Sequence, residues 1–341
     1  QQKHVPDEIR KIKYITKIIE EHLFPHIYDD SASINDIKKR KLIYLGLMVR
    51  KLIFCILGKT EYDDRDSYIN KRVDPPGILL ANLFRQYFSK MVKDMKNTIN
   101  KIFNNGSWTS TGNFHDIINQ NNIYKILKSN TIEIGMKYAL ATGNWGVKNY
   151  FNRQGVAQVL SRLTFNSTMS HLRRVNTPIE KNGKLVQPRK VHTTQWGLIC
   201  PSETPEGAPV GIVKNLALGA HITCHSNGEI PLHYLQENGL LPIETCTFED
   251  LYQYTKVFIN GNIVGLHKYP HAIKKYLINL KRTGVLNIYT SISWNLYSNH
   301  LEIYTEAGRI CQAMFILHET TENKYQVAIT KKLWKKLLHN K

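Results

Sequence analysis

Acidic residues are scarce in this chain. Asp and Glu number 27 against 46 Lys and Arg, a formal net charge of +19 over 341 residues. A deficit that large points to a polyanionic partner, either a nucleic acid or an acidic partner subunit that covers the basic surface. Long apolar runs are also missing. None reaches the roughly 18 residues that span a bilayer. The most apolar stretch, Leu42 to Leu57, is interrupted by Arg50 and Lys51 and reads as a buried helix. The opening residues Gln1, Gln2, Lys3 and His4 form no apolar segment, which argues against a secretory signal, and the missing initiator Met suggests a fragment or a trimmed chain. The five cysteines are odd in number, widely spaced and without a C-x-x-C pair, so neither a disulfide framework nor a zinc site is expected. No dense aspartate constellation of the kind that holds catalytic Mg²⁺ is visible. Hydrophobic residues make up 42% of the chain, an ordinary fraction for a folded protein.

Periodicity predicts a helical N-terminal half. Isoleucines at 9, 12, 15, 18 and 19 mark a helix over residues 7–27, stopped by Pro25, and a second helix is expected over Ile34 to Leu57. Both apolar stripes are read as core. Asp63, Asp64 and Asp66 around Arg65 suggest a salt-bridge and capping knot more than a metal site, since neighbouring side chains point in different directions. After Pro75-Pro76-Gly77, residues Ile78 to Phe103 predict a long amphipathic helix with Leu79, Leu83, Tyr87, Met91 and Met95 on one face. Residues 104–122 read as a polar exposed loop, residues 123–142 as helix, residues 145–154 as a hairpin-like turn, and Gly155 to Arg162 as a short helix. From Pro231 the texture changes. A helix over Leu232 to Leu240, an Asn260-Gly261 hairpin, a basic helix from Pro270 to Thr283, and strands at Asn287–Trp294, His300–Thr305 and Ala313–His318 predict mixed α/β structure. The fold class expected is α+β and multidomain.

The densest polar stretch runs from Leu163 to Leu218. It holds Arg173 and Arg174, His171 and His192, and two carboxylates, Glu203 and Glu206, boxed in by Pro201, Pro205 and Gly207. Proline fixes φ and glycine frees it, so this is one particular backbone path and reads as a site rather than a core. His171 lacks a nucleophile or acid partner at a convincing position, so no catalytic residue is assigned. Phosphate or partner contact is favoured for the two arginines over a structural ion pair. Glu203 and Glu206 are expected to hold the loop by hydrogen bonds. In residues 145–154, Lys148 and Arg153 flank aromatics, as a contact to phosphates and unstacked bases requires; a solvated turn is the other reading.

Several words of this sequence carry a resemblance. Residues 170–178 (SHLRRVNTP), 192–197 (HTTQWG), 203–207 (ETPEG) and 211–216 (GIVKNL) resemble the central part of the second-largest, beta-type subunit of multisubunit DNA-dependent RNA polymerases. Residues 63–66 (DDRD), Lys71 and Arg72, 79–84 (LLANLF), 137–146 (KYALATGNWG) and 305–309 (TEAGR) continue the likeness in order. The resemblance covers nearly the whole chain and fits the eukaryotic, archaeal and large-DNA-virus branch best. After Arg309 the family's usual arginine and proline are replaced by Gln312 and Ala313.

The resemblance implies a lobe end over 1–70, a protrusion part over 71–103, and a fork over 104–180 with loops about 104–122 and 145–154. A connector over 181–230 and an external domain over 231–341 complete it. It implies template-directed RNA synthesis from NTPs, with Mg²⁺ held by a partner, the largest subunit, and no metal site on this chain. Further implied partners are the smaller subunits, template DNA and the RNA–DNA hybrid. No membrane is implied, and the compartment is cytoplasm, nucleus or virion. Trp145, Lys148, Arg153, Arg173 and Arg174 become candidate nucleic-acid contacts; His192, Glu203, Glu206 and Lys214 become structural residues beside the active centre. A non-catalytic scaffold derived from such a subunit, or a stand-alone basic nucleic-acid-binding protein, are the rival readings.

Overall fold

A computed structural model describes residues 8–27, 33–104, 120–147, 153–179, 182–315, 317–319 and 325–327. The helices among them are α1 (Glu8–His22), α2 (Ile34–Ile56), α3 (Pro76–Asn104), α4 (Gln120–Ile126), α5 (Asn130–Thr142), α6 (Phe165–Leu172), α7 (Glu229–Glu237), α8 (Phe248–Gln253) and α9 (Pro270–Arg282). The strands are β1 (Arg174–Asn176), β2 (Val213–Asn215), β3 (Ala220–Ile222), β4 (Leu241–Pro242), β5 (Thr255–Ile259), β6 (Asn262–His267), β7 (Ser291–Asn295), β8 (His300–Tyr304), β9 (Ile310–Gln312), β10 (Leu317–Glu319) and β11 (Tyr325–Val327). The expected α+β class is what is found. No helix among the described residues is long and apolar enough to cross a membrane.

The chain forms two compact units. One joins Gln1–Arg65 to Ile222–Cys311; the other joins Asp66–His221 to Gln312–Lys341. The first unit is built on a five-stranded sheet in the order β4-β6-β5-β8-β7, antiparallel except for the parallel pair β5/β8. Asn260 (φ 50°) and Gly261 (φ 82°) both take left-handed backbone at the β5/β6 turn, the geometry that Asn-Gly supplies with least strain. A bulge between Val257 and Phe258 shifts the register, so Ile263 and Leu266, three apart, face the same side. Pro270 sits in the first turn of α9 and Gly284 (φ 83°) follows its end. On one side of the sheet Ile273 and Leu277 of α9 and Leu235 of α7 pack against Val257, Ile259, Leu301 and Ile303. On the other side Ile43, Tyr44 and Leu47 of α2 pack near Ile243, Ile263, Leu266 and Phe258.

The second unit pairs α3 with α5. Leu83 and Tyr87 meet Ala139 and Trp145, and Leu79, Ile132 and Met136 pack around them. Gly143 ends α5 in left-handed backbone (φ 74°). A Cβ there would press on the Ala157 carbonyl oxygen, so the tight approach of residues 143 and 157 needs glycine.

Five expectations change. The apolar stripes of α1 and α2 are not fully core: Ile12, Ile15, Ile18 and Ile19 are exposed, as are Leu42, Leu45, Met48, Leu52 and Ile56. The apolar contact of α2 with the sheet comes from Ile43, Tyr44 and Leu47. Gly155 to Arg162 is not a helix; bends and extended backbone take its place. Gly155 sits at φ 69°, and Ser161 spends its amide on His171 Nδ1 and its carbonyl on Thr168 Oγ1 instead of on a helical ladder. The helix begins later, at Phe165, where Thr164 Oγ1 accepts the Ser167 amide as an N-cap. Residues 123–142 are two helices broken at Leu127 to Ser129. Among the described residues of Ala313–His318 Leu317 and His318 are strand and 313–315 are not, and β7 starts at Ser291 because Asn287 to Thr290 closes a turn. The polar loop expected at 104–122 lies mostly outside the described residues.

Candidate nucleic-acid interface

The second unit positions most of the residues singled out from the sequence. Strand β1 pairs antiparallel with β2, setting Arg174 opposite Asn215 and Val175 opposite Lys214. Side chains alternate along a strand and opposed partners share a face, so Lys214 and Arg174 face opposite sides. Lys214 points inward. Its Nζ donates to Tyr68 Oη at 3.0 Å and to the Pro188 carbonyl at 3.2 Å. Gln195 Nε2 donates to the same phenol oxygen at 3.4 Å, and the Tyr68 amide donates to Thr194 Oγ1 at 2.9 Å. Burial lowers the Lys214 ammonium pKa, with the Asp66 carboxylate opposing; burial raises that of the Tyr68 phenol, with Lys71 opposing. Lys71 Nζ lies 5.0 Å over the Tyr68 ring and 3.8 Å from Asp66. This polar knot ties residues 66–71 to β2 and to the 3₁₀ turn at Thr193–Gln195. His192 caps that turn through Nδ1, which accepts the Thr194 amide at 3.2 Å.

The turn-rich loop from Glu203 to Gly211 is held from within. Thr204 Oγ1 donates to the Val213 carbonyl at 2.9 Å and accepts the Gly211 amide at 2.9 Å. Ser170 Oγ donates to Glu203 Oε1, and Asn215 Nδ2 donates to the Glu203 carbonyl at 3.2 Å. Arg189 spans the loop, donating to the carbonyls of Ala208 at 2.6 Å, Val210 at 2.9 Å and Gly183 at 3.2 Å. Gly211 (φ 69°) lies so near the Arg189 backbone that a Cβ would overlap it. Glu203 is thus engaged through both its carboxylate and its backbone carbonyl. Glu206 is exposed.

The arginines separate into different roles. The Arg173 guanidinium donates to the carbonyls of Ala217 (2.5 Å), Leu218 (3.3 Å) and Ala220 (3.2 Å), clamping the chain after β2. A phosphate contact from Arg173 conflicts with that clamp. Arg174, one residue on, is exposed. His171 is engaged at both ring nitrogens: Nδ1 accepts the Ser161 amide at 3.0 Å, which leaves Nε2 to donate to Gln158 Oε1 at 3.0 Å. No lone pair is left on it for a general base.

In the 145–154 segment, Trp145 and Arg153 pair as an antiparallel bridge, as a hairpin requires. Lys148 and the following residues 149–152 lie outside the described residues. Trp145 is 8% exposed and its Nε1 donates to the Leu79 carbonyl at 3.0 Å, so its ring is an anchor and offers no face for a base to stack on. Arg153 Nη1 lies 2.7 Å from Asp74 Oδ2 in a half-exposed ion pair, which solvent and salt weaken. Among the described residues Arg174 and Arg153 are therefore the two candidate cations at the surface, carried on the β1/β2 and Trp145/Arg153 frames. Tyr68, Ser170, Arg189 and Gln195 were missed from the sequence. The only signal for Arg189 was its place in a Pro-Arg-Lys word between two turns.

Comparison with known proteins follows the same order along the chain. Models for RNA polymerase Rpb2 match here: domain 2 over residues 1–74, domain 3 over residues 158–222 and domain 4 over residues 257–318. DNA-directed RNA polymerase II subunit 2 of Arabidopsis thaliana is 40% identical over 309 residues, 90% of this chain and 25% of that protein. RPB2 of Schizosaccharomyces pombe is 37% identical over 336 residues, 97% of this chain and 26% of its own length. DNA-directed RNA polymerase subunit 2 of Acanthamoeba polyphaga mimivirus is 36% identical over 324 residues, 92% of this chain and 26% of that protein. The chain thus spans about a quarter of the length of the curated relatives it matches.

Proposed function

Because the chain belongs to the family of Rpb2-type second subunits of DNA-directed RNA polymerase, we propose that it forms one wall of a polymerase cleft during template-directed RNA synthesis from NTPs. In this reading residues 104–180 are the fork, residues 1–70 the end of the lobe, residues 71–103 part of the protrusion, residues 181–230 the connector and residues 231–341 the external region. The observation that carries it is the cross-linked scaffold around Lys214, Tyr68 and Arg189, which fixes a loop path and leaves Arg174 free at the surface. Rigid elements that present a cation outward suit contacts to a nucleic-acid backbone, which position the duplex without reading its sequence.

The chain's part in the chemistry is positional. Among the described residues no group of three His, Cys, Asp or Glu side chains is placed to hold a metal ion. Mg²⁺ is assigned to the largest subunit as partner, together with the smaller subunits, DNA, the RNA–DNA hybrid and the NTPs. The compartment follows the assembly, nuclear for a cellular enzyme and cytoplasmic or virion-borne for a viral one.

The test starts from the full-length parent protein, purified with whatever accompanies it and identified by mass spectrometry. A photo-crosslinking residue is then placed at Arg174 in the transcribing complex. Co-purification of a chain with an Asp-rich metal loop, and crosslinks from position 174 to DNA or RNA, are expected. Recovery of the parent as a lone monomer, or crosslinks only to protein, overturns the reading.

A further inference from the structure

The first unit holds a second basic site that the fork reading does not use. On the sheet face turned toward α2, Lys256 of β5 lies directly beside His300 of β8 across the parallel pair. Lys256 is 2% exposed, and no hydrogen-bond acceptor or carboxylate partner for its ammonium is found among the described residues. Helix α2 runs over the same face. Its Ile43, Tyr44 and Leu47 pack on the apolar part of the sheet, and the next turn brings Arg50 and Lys51 to Lys256 and His300. Arg50 and Lys59 both sit over the Phe54 ring, at 4.9 and 5.7 Å, which adds a fifth basic group.

Among the described residues two carboxylates, Asp63 and Glu302, lie near these cations, and neither is an ion-pair partner of Lys256. Asp63 pairs with Lys51 at 2.6 Å, but both side chains are largely exposed and solvent screens the pair. Glu302 shares the sheet face two residues from His300 and is held by the Tyr304 hydroxyl at 3.0 Å. Burial first, and then the charges of Lys256, Lys51 and Arg50, push the His300 pKa down to about 4. Burial, then Arg50, lowers that of Lys256. A buried ammonium surrounded by cations is destabilising unless something negative joins it.

We propose that Lys256, His300, Arg50 and Lys51 form a binding site for a phosphate group, held between α2 and the β5/β8 seam. The donors come from two walls, a helix above and a sheet below. An oxyanion with oxygens in several directions satisfies them better than a planar carboxylate, whose two oxygens suit one bidentate fork. The phosphate comes either from a free polyphosphate or from a nucleic-acid backbone. The proposal stands on the first unit alone and does not depend on the fork assignment.

The test uses the parent protein in its assembled complex and follows carbethoxylation of His300 by peptide mass spectrometry. Pyrophosphate at twice its dissociation constant should slow His300 modification about threefold. Lys256→Met, which keeps the volume and removes the charge, should abolish that protection. Protection by a single-stranded DNA oligonucleotide at lower phosphate concentration than pyrophosphate identifies a nucleic-acid backbone as the source; protection by pyrophosphate alone identifies a free phosphate. Equal or better protection by polyglutamate overturns the proposal in favour of an acidic protein segment. No protection by any of the three overturns it outright. If the Lys256→Met protein does not assemble, the wild-type arms decide alone.

Discussion

Replacing Gly135 by alanine should loosen the Trp145/Arg153 frame from a distance. Gly135 lies on α5 where it crosses α3, and a Cβ built there overlaps the Cε1, Cδ1 and Cζ atoms of Tyr87. The ring has nowhere easy to go, since Tyr87 is 7% exposed and packs with Leu83, Ala139 and Trp145. In an open helix the change would stabilise by about 1 kcal/mol through backbone entropy. Overpacking a close contact costs about 1–3 kcal/mol, and three overlapped ring atoms put this site at the upper end. The expected net loss is therefore about 1–2 kcal/mol, or about 5- to 30-fold in the local opening equilibrium. The opening should appear where Tyr87 pushes, at Trp145, whose indole is tied to the Leu79 carbonyl and whose backbone pairs with Arg153. Hydrogen exchange of peptides covering residues 143–147 and 153–157, measured in the assembled protein, reads it directly. The double variant Gly135→Ala with Tyr87→Leu should recover part of the loss, because a smaller side chain at 87 makes room for the methyl group. A Gly135→Ala protein as stable as wild type, with unchanged exchange at these peptides, would refute the packing argument.

Acid should weaken the first unit through His300, measured in buffer without phosphate. Above pH 6.5 the ring is neutral both folded and unfolded and contributes nothing to the pH dependence. Between 6.5 and about 4 the unfolded chain takes up a proton that the folded one refuses, so stability falls as pH falls. The full gap converts to about 3 kcal/mol, which partial exposure of the ring reduces to about 1–2 kcal/mol. His300→Phe, which keeps the contact with Phe258, should flatten that part of the stability curve; a curve unchanged by the substitution would contradict it. Arg173→Lys should lower stability by about 1–3 kcal/mol in thermal unfolding, because one ammonium cannot reach the three carbonyls that the guanidinium spans. Full stability in that variant would show that the clamp is not needed.

Local chemistry was the part of the fold that could be read in advance. Helix α9 is announced by Pro270 and Gly284, the β5/β6 hairpin by Asn260-Gly261, and α3 by its i, i+4 apolar face, all within a few residues of their cause. Errors arose where a distant partner decided the outcome. Trp145 looked like an exposed stacking residue until Leu79 and Tyr87 covered it. Arg173 looked like half of a phosphate clamp, yet the carbonyls after β2 claim it. Gly155 to Arg162 has helix-compatible composition, but side chains of α6 take its backbone groups. Lys256 and His300 gave no signal at all, because only the pairing of β5 with β8 makes them neighbours.

That parallel pairing also bears on how the first unit comes together as it is made. Hairpin β5/β6 and hairpin β7/β8 can each close from nearby residues, whereas β5 must wait for β8 until α9 and β7 have left the ribosome. For that interval the free edge of β5 is open to pairing with any other strand, and the positive charge of Lys256 at that edge discourages such partners. A side chain that meets no counter-charge among the described residues would thus already have guarded the nascent chain.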